Sequence, residues 1–164
     1  MAVYERRKVV VFMNKRIKKK QTKMKYKRIC KRYPFLIIRN WKTDEPIEYP
    51  YTYLDDMPYG WRRAFGKQMC EEIRNVLIKG KYLYAYRVAQ IKSKWAELRW
   101  YDEGAPSSIY RELQDVIDKY TELSRKTCIC CGRPATKLSC GWVDPFCTKC
   151  AEKYLRSYTD INES

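Results

Sequence analysis

Eight cysteines and no histidine frame the chemistry open to this chain. Four of the cysteines form two pairs, Cys128-Ile-Cys-Cys131 and Cys147-Thr-Lys-Cys150, in the pattern C-x2-C-x15-C-x2-C. Two residues between cysteines let one tight turn aim both sulfurs at a single ion. Gly132, directly after the first pair, can take the left-handed conformation that such a knuckle often needs. The residues between the pairs suffice for a short hairpin that carries the second knuckle back to the first. Zinc prefers soft thiolates in a tetrahedron, and four of them close its shell. The spacing therefore predicts one structural zinc ion on Cys128, Cys131, Cys147 and Cys150; the competing reading is four unrelated free thiols. Cys130 could replace Cys128 only by breaking the two-residue spacing, and Cys140 falls mid-hairpin without a partner. A thioredoxin-like redox motif needs one such pair near a βαβ pattern, and two correctly spaced pairs fit zinc better.

The absence of histidine excludes histidine general bases, triads and histidine-containing zinc sets. Cys70-Glu71-Glu72 offers the Cys-x-Glu of a zinc deaminase, but Phe146 separates Pro145 from Cys147 where that family needs Pro-Cys-x-x-Cys. It would also leave Cys128 and Cys131 without a role. No nucleophile–base pair is visible, and a filled metal shell leaves no place for water, so the expectation is a binding protein and not an enzyme.

The elements that must position the cysteines lie upstream. Residues 1–33 contain fourteen Lys or Arg and one Glu, net +13, whereas the remainder carries only +3. The basicity thus belongs to an arm, residues 1–22, in which Lys18, Lys19 and Lys20 are the densest run. Such a run is either a solvated arm or a phosphate-seeking tail for nucleic acid. From Lys23 a helical face of Tyr26, Ile29, Cys30 and Tyr33 runs to Pro34, which stops it. Cys30 reads as small core filler. Phe35 to Ile38 reads as a short extended run. Trp41 to Gly60 is turn-rich and aromatic, with Tyr49, Tyr51, Tyr53 and Tyr59 among prolines. Its rings suit either a protein interface or a loop packed inward. Trp61, Phe65, Met69, Ile73, Val76 and Leu77 mark an amphipathic helix that Gly80 ends.

Tyr82 to Lys92 is rich in β-formers, with Tyr84, Tyr86 and Val88 expected on one face. Lys94-Trp95-Ala96 turns the chain and Leu98 to Tyr101 returns, which predicts a hairpin. Arg87, Lys92, Lys94 and Arg99 with Trp95 and Trp100 would make a basic, aromatic strip, able to stack bases or simply a solvated sheet face. Pro106-Ser107-Ser108 opens a second helix with Ile109, Leu113, Val116, Ile117, Tyr120 and Leu123 on its core stripe. Trp142 and Phe146 are expected to pack the cysteine module onto that helix. A short helix from Ala151 is expected to fray after Tyr158.

The expected fold class is α+β, with two main amphipathic helices packed on a β-hairpin or small antiparallel sheet and a C-terminal four-cysteine zinc-ribbon module. Its divisions are a basic arm at 1–22, a core at 23–126, the module at 127–158 and a tail at 159–164. No apolar run is long enough to span a membrane, and the basic start has too short an apolar core for a secretory signal, so a reducing cytosol is expected.

Four segments carry a resemblance. They are Cys30-Lys-Arg-Tyr-Pro-Phe-Leu-Ile, Trp61 to Glu72, Tyr86 to Tyr101, and Cys128 to Cys150. In these the chain resembles a family of small proteins encoded by phages, prophages and related mobile elements of low-GC bacteria. It departs at Lys94-Trp95-Ala96-Glu97, where a glycine-rich turn is usual. A small zinc-containing phage protein that looks like this class is an anti-CRISPR inhibitor of the type II RNA-guided nuclease. The resemblance therefore implies a protein of the bacterial host cytosol that binds and inhibits that nuclease or its ribonucleoprotein. The alternative is a nucleic-acid-binding accessory or regulatory protein of a mobile element. Partner contacts are expected at Lys18, Lys19, Lys20, Tyr51, Tyr53, Arg87, Trp95 and Arg99.

Overall fold

The computed structural model describes residues 25–161, so the basic arm at 1–22 lies outside the described residues. Helix α1 covers residues 25–32, and Pro34, which cannot continue it, starts a single 3-10 turn, Pro34–Leu36. That turn replaces the extended run expected from Phe35, because Pro34, Phe35 and Leu36 are all driven into the core and a tight turn buries three consecutive side chains where a strand would expose every second one. Arg32 and Tyr33 anchor the end of α1 by donating to Glu71, each at 2.5 Å to Oε1.

Within the aromatic stretch the sequence hides a helix. Helix α2, Tyr53–Asp56, is opened by Thr52, whose backbone N–H donates to the Asp55 carboxylate at 2.9 Å. The long amphipathic helix then runs as α3, Tyr59–Trp61, a π-helical turn at Arg62–Gly66, and α4, Lys67–Lys79. Its expected stripe of Trp61, Phe65, Met69, Ile73, Val76 and Leu77 is buried throughout. Gly80 does end the helix, but for a different reason than a left-handed cap. Its own φ is −80°, and a Cβ there would lie 2.5 Å from Ile109 Cγ2, so the site demands glycine for close approach. Lys81 takes the left-handed residue instead, at φ 55°.

Tyr82 to Tyr86 is not strand. It is a turn in which Tyr86 is fully buried and Tyr84 faces out, so the two do not share a face with Val88. Strand β1 is Val88–Lys94 and β2 is Glu97–Asp102, paired antiparallel across a two-residue turn, with a bulge between Val88 and Gln90. Val88, Ile91, Leu98 and Trp100 point inward. The Trp100 indole donates to Tyr86 Oη at 3.1 Å, and Tyr86 donates to Asp102 at 2.5 Å.

Helix α5, Ser107–Arg125, packs on α4 and along β2. Ser124 Oγ accepts the Leu98 N–H at 2.8 Å, and Thr121 donates to the Leu98 carbonyl at 3.3 Å. Two helix hydroxyls thus satisfy backbone groups at the strand edge. Ile109, Leu113, Ile117 and Tyr120 form the buried stripe, Val116 is half-buried, and Leu123 is exposed.

The C-terminal module contains β3, Lys137–Ser139, β4, Pro145–Phe146, α6, Thr148–Tyr154, and β5, Tyr158–Asp160. Among the described residues its strands form one antiparallel sheet in the order β4-β3-β5. Tyr158–Asp160 therefore do not fray from the fold but form a strand, with Ser139 paired with Tyr158 and Lys137 with Asp160. Trp142 does not pack the module onto α5. It stands exposed at the tip of the β3–β4 turn.

The module is seated instead on the start of α3. The Gly60 N–H donates to the Ile129 carbonyl at 2.8 Å, and the Trp61 indole donates to the Thr127 carbonyl at 2.8 Å. A Cβ on Gly60 would lie 2.2 Å from the Cys128 carbonyl oxygen. Gly66, six residues on, meets only side chains, none nearer than 3.4 Å. Two alanine substitutions on one helix should thus differ in sign. Gly60→Ala is expected to destabilise by about 1–3 kcal/mol or more through overpacking, whereas Gly66→Ala should stabilise by about 0.5–1 kcal/mol through helix propensity. Denaturant unfolding of the two variants decides it; equal and small effects would mean that the module does not sit against Gly60.

Candidate metal centre

The first knuckle is closed by its own backbone. The Cys128 N–H donates to the Arg133 carbonyl at 2.7 Å and the Gly132 N–H donates to the Cys128 carbonyl at 2.9 Å. Gly132 sits at φ 80°, and a Cβ there would also meet the Gly60 carbonyl oxygen at 2.6 Å. This glycine therefore serves both the turn and the docking of the helix. The second knuckle is the opening turn of α6: Cys147 is its N-cap, and the Cys150 and Ala151 N–H groups donate to the Cys147 carbonyl at 3.0 and 2.9 Å. The Ile129 N–H, donating to the Pro145 carbonyl at 2.8 Å, binds one knuckle to the other.

These backbone contacts bring Cys128, Cys131, Cys147 and Cys150 together, with all four Sγ atoms within 4.8 Å of one another. Cys131 Sγ and Cys147 Sγ are 3.6 Å apart. Thiolates at about 2.3 Å from a tetrahedral ion would stand about 3.8 Å from each other, so the cluster has the dimensions of a four-thiolate metal site. The donor set is all sulfur and three of its members are buried, which suits a soft or borderline cation. Among the described residues Cys130 packs beside the cluster without joining it, Cys140 is exposed, and Cys70 lies buried in the main core with its thiol pushed up to about 12 by burial.

The electrostatics divide the four. Burial pushes the Cys128 thiol up, although backbone hydrogen bonds from Cys147, Cys131 and Cys130 pull the other way. Burial and the neighbouring Cys147 and Cys131 likewise push Cys150 up. At Cys131 burial is outweighed by the hydrogen bonds it receives, chiefly from Arg133, and the thiol comes down to about 6. Arg133 Nε lies 3.3 Å from Cys131 Sγ. Sequence reading missed this donor; an arginine two residues past the second cysteine of the first pair is the signal that was there to find.

The expected partner-contact residues do not converge. Lys18, Lys19 and Lys20 lie outside the described residues. Tyr51 stacks on Tyr49, with ring centroids 5.0 Å apart, and is partly exposed. Tyr53 packs against the main core. Arg87 turns away from the hairpin face to donate to the Tyr84 carbonyl at 2.5 Å and to pair with Asp44 at 3.4 Å. Among the described members of the set, Trp95 and Arg99 belong to the β1–β2 hairpin. Trp100, expected on that strip, is buried.

Compared with known proteins, the chain matches no family model, no curated protein and no solved structure. Among the described residues no helix is long and apolar enough to cross a membrane.

Purified protein is expected to hold one metal ion per chain, read by elemental analysis, and Cys147→Ser should lose it together with a substantial part of its thermal stability. Arg133→Met, which removes the N–H···S donor but no ligand, should weaken metal affinity about tenfold in a chelator competition. A metal-free wild type that melts like Cys147→Ser would contradict the assignment.

Proposed function

We propose that the cysteine cluster holds one structural Zn2+, that the C-terminal module is a zinc ribbon, and that the protein acts in the bacterial cytosol as a stoichiometric, non-enzymatic inhibitor of a host defence complex. The observation that carries this reading is the four-thiol shell. Four cysteines complete the coordination of zinc, whereas a catalytic zinc keeps one position for water or substrate. When bound, the ion supplies folding free energy by fixing both knuckles, and Arg133 steadies the charge on Cys131. The module then holds the opening of α3 and the hairpin tip in place, presenting rigid surfaces to a partner.

Exposed aromatic residues support a binding role. Trp41, Tyr59, Tyr84, Trp95 and Trp142 all present rings to solvent, and Trp, Tyr and Arg are the residues that most often anchor interfaces. The choice of partner comes from the resemblance to phage and prophage zinc proteins, and it names the type II CRISPR RNA-guided nuclease or its ribonucleoprotein. The alternative from the same resemblance is a mobile-element accessory protein that binds nucleic acid.

Titrating the protein into a DNA-cleavage assay with that nuclease and its guide is the test. Inhibition should reach a plateau near equimolar ratio. Inactivation of many nuclease molecules per inhibitor would mean catalysis, and absence of any effect on cleavage would overturn the choice of partner.

A further inference from the structure

Two turns meet through a hydrogen bond between their backbones, and each carries an exposed tryptophan. The β1–β2 turn is Trp95–Ala96, flanked by the Lys94–Glu97 pair. Both turn residues are left-handed, at φ 56° and 62°. That is the pattern of a type I′ turn, which normally takes Asn-Gly or Gly-Gly because other side chains are strained there. The chain holds the strained turn in place from outside: the Ala96 N–H donates to the Val143 carbonyl at 2.9 Å, and Ser93 donates to the Asp144 carboxylate. Val143 and Asp144 belong to the β3–β4 turn, whose own tip is Trp142. Trp95 is 68 % exposed and Trp142 69 % exposed, each one residue from the hydrogen bond that joins the turns. Neither ring contributes to a core, so strain and a tertiary hydrogen bond are being spent on presenting an indole.

The adjoining face of the hairpin is basic. Register puts Lys92 opposite Arg99 and Gln90 opposite Tyr101 on the side away from the core. Lys92 Nζ stands 5.1 Å from the Tyr101 ring centroid, and Tyr101 is 42 % exposed. The carboxylate of this face, Glu97, is buried and lies between the guanidinium groups of Arg99 and Arg125, so it orients cations without presenting its charge to solvent. From Tyr101 to the turn the strip runs about five residues, or about 17 Å along the strand.

We infer that this strip, with Lys92, Lys94 and Arg99 for the backbone phosphates and Trp95 and Tyr101 for the bases, binds single-stranded nucleic acid. Aromatic rings interleaved with cations on a rigid sheet surface form a stacking platform tolerant of sequence. Unstacked bases can lie on rings that stand out from the surface in this way, whereas a duplex keeps its bases stacked on one another. The inference does not depend on the nuclease reading.

Binding of a fluorescently labelled oligothymidylate of about ten nucleotides, within the usual site size, is to be measured by anisotropy across a salt series with the full chain. Trp95→Gly is the decisive variant. Glycine is the residue best suited to φ 56°, so this protein should melt at or above the wild-type temperature while losing affinity about tenfold. Tyr101→Ala should weaken binding by a similar factor. Lys92→Gln with Lys94→Gln should make the slope of log K against log salt less steep by about 1.4. Wild-type affinity in Trp95→Gly, a preference for duplex over single strand, an unchanged salt slope in the lysine variant, or no binding at low salt would each overturn the inference. An unchanged Trp95→Gly would place any oligonucleotide contact elsewhere, on the basic arm.

Discussion

Four sulfurs held within 4.8 Å of one another cannot all ionise unless a cation sits among them, because like charges at that distance raise each other's pKa. That constraint organises the C-terminal module. With the ion, the two knuckles become one rigid object built from a six-residue loop, Cys128 to Arg133, and the first turn of α6. Without it, little else is available: the three strands of the module are two or three residues long, too short to stand alone. A metal ion bound there would do the work that a hydrophobic core does in the rest of the protein.

The main body then depends on the module through contacts that tolerate no extra atoms. Gly60 and Gly132 let two backbones approach closely, and the Trp61 indole, fully buried, finds its acceptor in the Thr127 carbonyl. A buried indole N–H without an acceptor would cost about 1–3 kcal/mol, so the knuckle contributes to the core through one hydrogen bond as well as by packing. On the opposite side the turn at Val143 and Asp144 holds the hairpin tip. One four-cysteine module thereby contacts both the opening of the long helix and the end of the hairpin.

Much of this was legible. Cysteine spacing is a covalent-geometry signal and marked the four converging residues directly. The stripe Trp61 to Leu77 and the hairpin around Trp95 were legible because period and turn position survive without tertiary information. The errors share a cause. Phe35, Tyr82 and Tyr84 lie in short aromatic runs whose propensity favours strand, and neighbouring elements overrode it. Leu123 fits the helical stripe, yet the buried face at the end of α5 runs through Tyr120 and Ser124, whose hydroxyl meets the Leu98 N–H, and leaves Leu123 outside it. Gly80 looks like a left-handed cap, but the physical demand comes from Ile109 nearly thirty residues away. Trp142 reads as inward-facing because large apolar residues usually are; its exposure follows from its place at a turn tip, which spacing alone does not reveal. Arg87 and Arg99 look alike in sequence, and only the buried Glu97 and the distant Asp44 separate their roles.

The central claim is that one metal centre fixes the knuckles, the start of α3 and the hairpin tip as a unit. Amide hydrogen exchange with and without metal measures it most directly. On chelation, the amides of Gly60, Cys128, Gly132 and Ala96, each hydrogen-bonded within or across the module, should lose protection together and by a common amount, while α5 amides around Leu113 stay protected for longer. Retained protection at Gly60 and Ala96 after the metal has gone would contradict the account, because the module would then hold its position without the ion.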